Sequence, residues 1–256
     1  MELLFNPALV MGLMLSIMRV AGFVLSSPIF PVGIPVIGRV ALTLGLGLFF
    51  AAPFPGSLDL LTMLGAAIVN LTVGLLLGWL TGLVFAIFPI AGGVIDVASG
   101  MGVAAILDPN QGIQAAVFNR LFTLLALAIF MLVGGDQLLI HGIALSIETI
   151  PLDGGISLQA GLAPFVVDAV THMFVAGAEI ALPVVAALFV TEVVLGIASR
   201  FAPAANVFIL GLPLRILVAF GVVTVSLTMF PGAVSAAMRL MREAMVAGLR
   251  GLGVAG

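Results

Sequence analysis

The fold of this chain is decided by the uncharged stretch at positions 60–95, LLTMLGAAIVNLTVGLLLGWLTGLVFAIFPIAGGVI. A helix that crosses the hydrocarbon core of a bilayer needs about 20 mostly apolar residues. The stretch is therefore long enough to cross a membrane, and it is too long for one upright helix. Pro89 and the pair Gly92-Gly93 lie near its end, and they predict that the helix stops near Phe88.

The composition of the whole chain supports a membrane protein. Of the 256 residues, 63% are hydrophobic and only 7% are charged. An ordinary globular domain is about 45–50% apolar, with glycine included, and about 25% charged. These residues cannot build a water-facing surface, so we expect an all-α integral membrane protein. The formal net charge of −3 is too small to indicate a nucleic-acid partner.

Several residue types that carry chemistry are missing. The chain has no cysteine, lysine or tyrosine, which excludes disulfides, thiolate metal sites, P-loop lysines and Schiff-base chemistry. His141 and His172 lie too far apart in sequence for an H-E-x-x-H metal site. Most enzyme classes therefore lose their catalytic parts, and we expect no catalytic residue, no metal and no cofactor.

Five further apolar segments bring the number of candidate helices to six. They run from Pro7 to Ser26, from Arg39 to Ala52, from Ala115 to Ile150, from Pro164 to Ser199 and from Asn206 to Phe230. Gly134-Gly135-Asp136 is expected to interrupt the segment that starts at Ala115. Pro183 is expected to break or kink the segment that starts at Pro164, because an interior proline loses a backbone hydrogen bond. The resulting pieces predict helical hairpins.

The pattern changes after Pro231. On a helical wheel the charged residues of this region fall within an arc of roughly 100°, and they are Arg239, Arg242, Glu243 and Arg250. The opposite face holds Val234, Met238, Met241, Met245 and Leu249. We expect an amphipathic helix that lies on the membrane surface or packs on a partner helix. The chain is thus expected to form one domain over residues 1–256, with an apolar helical body over 1–232 and this tail over 233–256.

Two features predict that these helices pack against protein. Gly74, Gly78 and Gly82 repeat at four-residue spacing, which gives a ridge where another backbone can approach closely. Charges within or at the ends of apolar segments are costly in lipid unless they are paired. The charges expected to be buried or to support assembly are Arg19, Asp96, Glu179, Glu192, Arg200 and Arg215. For the two arginines of the last segments, Glu192 and Glu179 are the nearest carboxylates in sequence.

The polar stretch Asp108-Pro109-Asn110-Gln111-Gly112 lies between two apolar segments and has strong turn chemistry. Two interpretations are open. It forms an ordinary surface hairpin, which composition alone favours, or it belongs to a re-entrant loop that lines a pore. In the second case its apolar flank, Val103 to Leu107, would close the pore by excluding water.

The order and spacing of several motifs resemble one known family. They are Arg19-x-x-Gly22 with Pro28 and Arg39, Ala91-Gly-Gly-x-x-Asp96-x-x-x-Gly100-Met-Gly102 before Asp108-Pro109, Gly134-Gly135, Ser146 to Pro151, Ala181-Leu-Pro183, and Arg200-Phe-Ala-Pro203-x-x-Asn206-Val-Phe-Ile-Leu-Gly211-Leu-Pro213. Nearly end to end, the chain resembles the flagellar biosynthetic protein FliR family, whose counterpart in injectisomes is the SctT export-apparatus subunit.

The resemblance implies a non-enzymatic core subunit of the flagellar type III protein export gate in the bacterial inner membrane, at the flagellar basal body. It implies assembly with FliP-like and FliQ-like subunits, and with an FlhB-like subunit, around a channel for unfolded exported proteins. The family segment that plugs this channel corresponds to Ile106, Leu107, Asp108, Pro109, Asn110 and Gln111, and the flanking hinges correspond to Gly100 and Gly102.

A proton-coupled secondary transporter is the alternative function. Asp168, His172 and Glu179 fall on one helical face and would form an ordered proton relay. The same residues are expected more simply to contact partner subunits or to line a polar seam. A transporter should also show an internal repeat with paired breaks in its two halves, and the sequence shows none.

Overall fold

A computed structural model of the chain describes residues 6–55, 59–101, 116–153, 162–201 and 207–252. All regular structure in these ranges is helical, without a strand. The helices are α1 (Pro7–Ser26), α2 (Ile29–Gly33), α3 (Val36–Phe49), α4 (Leu60–Phe85), α5 (Ile87–Ser99), α6 (Val117–Leu132), α7 (Gly135–Thr149), α8 (Leu162–Phe201), α9 (Val207–Ser226) and α10 (Phe230–Leu252). A 3-10 turn, Leu227–Met229, joins α9 to α10.

Four helical stretches are long and apolar enough to cross a membrane. They are Pro7–Ser26, Leu60–Ser99, Pro164–Phe201 and Gly211–Leu252, and the pair α6 and α7 makes a fifth candidate. The chain is therefore an all-α, multi-pass membrane protein, which confirms the expectation from composition.

The long uncharged stretch divides into α4 and α5, and the division comes earlier than predicted. The expected helix end near Phe88 is wrong, because α4 ends before Ala86 and α5 starts directly after it. Pro89 lies in the first turn of α5, where its missing N–H needs no partner. Gly92 lies where α6 crosses, and a Cβ there would be 2.5 Å from the Cα atom of Asn119. Proline and glycine thus start and pack this helix and do not end it.

The other proposed helix ends depend on where each proline or glycine lies. α8 continues through Pro183, so this proline does not break the segment, since in a bilayer a broken backbone would leave more polar groups without partners. α3 starts directly after Pro35 and three residues before the predicted Arg39. The predicted interruption between α6 and α7 is confirmed, because Gly134 has a left-handed φ of 88° that glycine adopts readily.

The described chain forms two compact units. The first gathers Met1–Phe85, Gly134–Val170 and Met238–Gly256, and the second gathers Ala86–Val133 and Thr171–Ala237. In the first unit α1 packs against both α3 and α4. One buried core cluster of this unit joins Met11, Leu15, Phe54, Ala66 and Leu152.

The second unit is organised by phenylalanines. α5 packs on α6, and α9 contacts α5. The ring of Phe230 lies with its centroid 5.3 Å from that of Phe88 and 5.1 Å from that of Phe122. Phe118 and Phe220 form another pair at 4.9 Å. Such tilted and edge-on pairs add to the stabilisation that burial of the rings provides.

The amphipathic tail helix is present as α10 and starts three residues earlier than expected. Its predicted charged face is exposed, and Val234, Met241, Met245 and Leu249 of the apolar face are buried. In the first unit, Met245 lies against Gly142 of α7, and Gly248 lies against Leu80 of α4. The apolar face is therefore covered by helices of the same chain and is not available to a membrane surface.

Candidate functional site

The proposed plug residues Ile106, Leu107, Asp108, Pro109, Asn110 and Gln111, and the hinge Gly102, lie outside the described residues. The candidate site is therefore built from the residues that hold the two ends of this segment. On one side, α5 ends at Gly100, whose φ of 82° is left-handed. A side chain there would be strained in backbone conformation, and its Cβ would lie 2.8 Å from the side chain of Leu212.

Asp96 holds the other side of the segment. Its buried carboxylate accepts hydrogen bonds from the backbone N–H groups of Phe118 and Asn119, each at 2.9 Å. These donors belong to the first turn of α6, whose N–H groups have no partners within the helix. A negative charge is also favoured at this end of a helix dipole. Asp96 therefore ties the last turn of α5 to the start of α6.

A second contact strengthens the same crossing. The Asn119 side chain donates from Nδ2 to the carbonyl oxygen of Pro89 at 2.7 Å. This bond ties the first turn of α5 to the first turn of α6. Together with the close approach at Gly92, these bonds give the segment between α5 and α6 a rigid base.

Arg19 bonds to the carboxyl end of a helix, whereas Asp96 bonds to an amino end. This buried arginine donates from Nη1 to the carbonyl oxygens of Ser146 at 2.8 Å and Ile150 at 2.7 Å. Both acceptors lie at the carboxyl end of α7, where the last carbonyl oxygens have few backbone partners and a cation is favoured. Two intramembrane charges, Arg19 and Asp96, are thus compensated by helix ends.

Asn70 completes this connection, and the sequence interpretation missed it. Its buried amide donates from Nδ2 to the carbonyl oxygen of Leu152 at 2.8 Å and to that of Ala66 at 2.7 Å. α1 and α4 therefore both bond to the stretch that ends α7. The available signal was an amide residue inside an otherwise apolar helix, which is costly unless it is hydrogen-bonded.

The glycine ridge of α4 packs against α1 and the residue Pro28 that follows it. A Cβ at Gly74 would collide with the carbonyl oxygen of Arg19, and one at Gly78 would collide with the carbonyl oxygen of Phe23. At Gly82 the neighbour is the ring of Pro28, 2.7 Å from the position of a Cβ. The absence of side chains on this face is what permits the close approach of α1 and α4.

The remaining predicted charges are not buried within this chain. Glu179, Glu192 and Arg200 are exposed and Arg215 is half-buried, because the chain itself leaves most of the surface of α8 and α9 uncovered. That these charges are buried in an assembly or support it stays a prediction. Arg215 donates from Nη2 to Oε1 of Glu192 at 2.8 Å, and this pair joins α9 to α8.

The residues of the alternative proton relay all lie on α8. Asp168, His172 and Glu179 are exposed. Within the described ranges, no group of three or more histidine, cysteine or acidic residues is placed to hold a metal ion.

Residues 10–241 match the sequence model of the family described as bacterial export proteins, family 1. The flagellar biosynthetic protein FliR of Bacillus subtilis is 30% identical, over 81% of this chain and 82% of the relative. FliR of Escherichia coli is 29% identical over 59% of this chain and 58% of the relative. The surface presentation of antigens protein SpaR of Shigella flexneri is 30% identical over 60% of this chain and 59% of the relative.

The matches to the Escherichia coli and Shigella proteins span less than two thirds of those relatives. The family match itself runs through both compact units of the fold. The resemblance read from the sequence motifs is therefore confirmed, and the chain belongs to family 1 of the bacterial export proteins.

Proposed function

We propose that this protein is a non-enzymatic core subunit of a type III protein export apparatus in the bacterial inner membrane. The observation that carries the proposal is the family match over residues 10–241, together with similarity to both FliR and SpaR proteins. In this role the chain assembles at the flagellar basal body with FliP-like and FliQ-like subunits, and with an FlhB-like subunit, around a channel for unfolded proteins.

The uneven covering of the helices supports a partner-bound state. In the most apolar windows of Pro164–Phe201 and Gly211–Leu252, 17% of the residues are buried, against 50% in Pro7–Ser26 and Leu60–Ser99. Exposed Glu179 and Glu192 stand on the first of these poorly covered surfaces. Because a carboxylate facing lipid is costly, protein is a better neighbour for this surface than lipid.

The contacts that join α5 to α6 support a gating role for the segment between these helices. Asp96 and Gly100 hold its two ends, and its sequence combines an apolar run with strong turn residues. In the proposed function this segment closes the resting channel by excluding water. Ile106 to Gln111 supply the plug, and Gly100 and Gly102 act as hinges.

Co-expression tests the proposal. The full chain is produced alone and together with FliP-like and FliQ-like subunits from the same bacterium, with a tag on the FliQ-like subunit. We expect one defined complex that contains all three, and an unstable or heterogeneous chain when the partners are missing. A well-folded, monodisperse monomer that does not co-purify with either subunit would contradict the proposal.

A further inference from the structure

An apolar groove between α1 and α3 is lined by one cationic side chain, that of Arg39. The cavity has a volume of about 350 Å³, and its walls include Ile17, Val24 and Leu44. The polar residues along it are Arg39 and Thr43. The hydroxyl of Thr43 donates to the carbonyl oxygen of Arg39 at 2.8 Å, which leaves the guanidinium as the polar group available to a ligand.

Arg39 is half-buried, and the chain does not compensate its charge fully. Its Nε atom is covered by the chain and has no hydrogen-bond partner among the described residues, so a ligand in the groove would meet the terminal amino groups of the side chain. A cation at the edge of an apolar groove in a membrane is costly unless an anion or another acceptor compensates it. The groove therefore favours an occupant that combines a negative charge with an apolar body.

The amino end of α3 adds to the positive potential at the same place. The residue before this helix is Pro35, and no side-chain hydrogen bond caps the helix there, so its first N–H groups have no partner within the helix. Helix amino ends of this kind bind phosphate groups. Arg39 lies about one turn into the helix, close enough to act on the same anion.

The cationic end of the groove coincides with the end of a membrane span. Leu25, near the end of α1, and Val36, at the start of α3, both line the cavity. From there the apolar walls follow α3 to Leu44, a distance of about 12 Å at 1.5 Å per residue. A headgroup at the membrane boundary and an acyl chain along the helices match this arrangement.

We propose that this groove binds one anionic phospholipid, with its phosphate on Arg39 and one acyl chain along α1 and α3. Arginine suits this role because its planar guanidinium pairs well with phosphate oxygens. Basic pockets between membrane helices bind acidic headgroups by the same principle. The site is separate from the contacts of Asp96 between α5 and α6, and the proposal does not depend on protein export.

Native mass spectrometry of the full chain tests the site. The chain is purified with the subunits that co-purify with it, or alone where none do, and is titrated with phosphatidylglycerol and with phosphatidylcholine. We expect phosphatidylglycerol to bind about tenfold more tightly, which corresponds to about 1.4 kcal/mol. Arg39→Gln should remove this preference, whereas Arg120→Gln, at an exposed arginine on α6, should leave it unchanged.

A second variant separates lipid from free phosphate. Ala21→Phe should fill the groove and weaken the binding of both lipids, because the acyl chain loses its place. Inorganic phosphate should neither bind with comparable affinity nor displace phosphatidylglycerol.

Four results would overturn the proposal. They are equal affinity for the two lipids, equal effects of Arg39→Gln and Arg120→Gln, displacement of the lipid by inorganic phosphate, and loss of the site when partner subunits bind, which would assign the groove to a partner helix. If Arg39→Gln does not fold, the comparison of the two lipids on the unaltered chain and the Ala21→Phe variant still decide.

Discussion

Arg19 caps the carboxyl end of α7, with its Nη1 atom 2.7 Å from the carbonyl oxygen of Ile150. These residues are far apart in sequence and both are buried. The carbonyl oxygen of Ser146 also accepts from the Ile150 N–H at 3.0 Å. Loss of Arg19 would therefore affect the hydrogen bonding of the Ile150 oxygen more than that of the Ser146 oxygen. The bond fixes where the end of α7 meets α1.

We expect Arg19→Met to destabilise the protein by about 1–3 kcal/mol, because the Ile150 oxygen is left buried without a partner. The loss should fall toward the lower value, since methionine also removes a buried cation whose Nε and Nη2 atoms have no partner within the described residues. The melting temperature of the purified protein measures the effect. Arg120→Met, at an exposed position, is the control, and equal melting of the two variants would show that the cap does not stabilise the fold.

Asp96→Asn should weaken the base of the segment between α5 and α6. The amide keeps one oxygen for one backbone N–H, but its NH₂ group then faces the second donor, and an unsatisfied buried donor costs about 1–3 kcal/mol. Asp136→Asn is a matched control, since this exposed aspartate lies in the first turn of α7. Hydrogen exchange of the Phe118 and Asn119 amides should rise only in the Asp96 variant. Unchanged exchange there would remove Asp96 from the candidate site.

Gly78→Leu should separate α1 from α4, because even a Cβ at this position collides with the Phe23 carbonyl oxygen. Gly65→Leu lies on the same helix, where a Cβ meets nothing within 4 Å. That control should be neutral or stabilising by up to about 1 kcal/mol, since glycine is a poor helix former. The yield of folded protein and its melting temperature should therefore fall for Gly78→Leu and stay the same or rise for Gly65→Leu. A stable Gly78→Leu protein would contradict the close packing.

The pair Glu192–Arg215 should contribute little in the isolated chain. The two side chains are 47% and 34% exposed, and exposed ion pairs stabilise by about 1 kcal/mol at most. A double-mutant cycle with Glu192→Gln and Arg215→Gln measures the coupling. We expect a larger coupling in the complex with partner subunits, where this surface would be covered. Equal coupling in both states would indicate that no partner covers the pair.

The sequence predicted the break at Gly134, misjudged the effects of Pro89 and Pro183, and did not predict the contacts between distant segments. The limits of α1 and the interruption at Gly134 follow from local chemistry. Pro89 was misread because the effect of a proline depends on its distance from a helix start, and the break at Ala86 has no sequence signal. The partners of Arg19 and Asp96 are backbone groups, which every residue carries, so residue types could not identify them. Exposure of Glu179 depends on which face of α8 the fold covers, and an apolar segment does not show this.

The segment from Met101 to Gln114 is expected to gate the channel. If this segment plugs a channel in the assembled complex, its apolar residues keep the resting pore closed to water and ions. Replacing both Ile106 and Leu107 with glycine should then raise the conductance of the purified complex in planar bilayers, while the complex still assembles. The same double replacement at Leu132 and Val133, which are exposed at the end of α6, should not. A surface hairpin would tolerate the change at Ile106 and Leu107 with no added conductance, and that result would assign the segment no part in closing a channel.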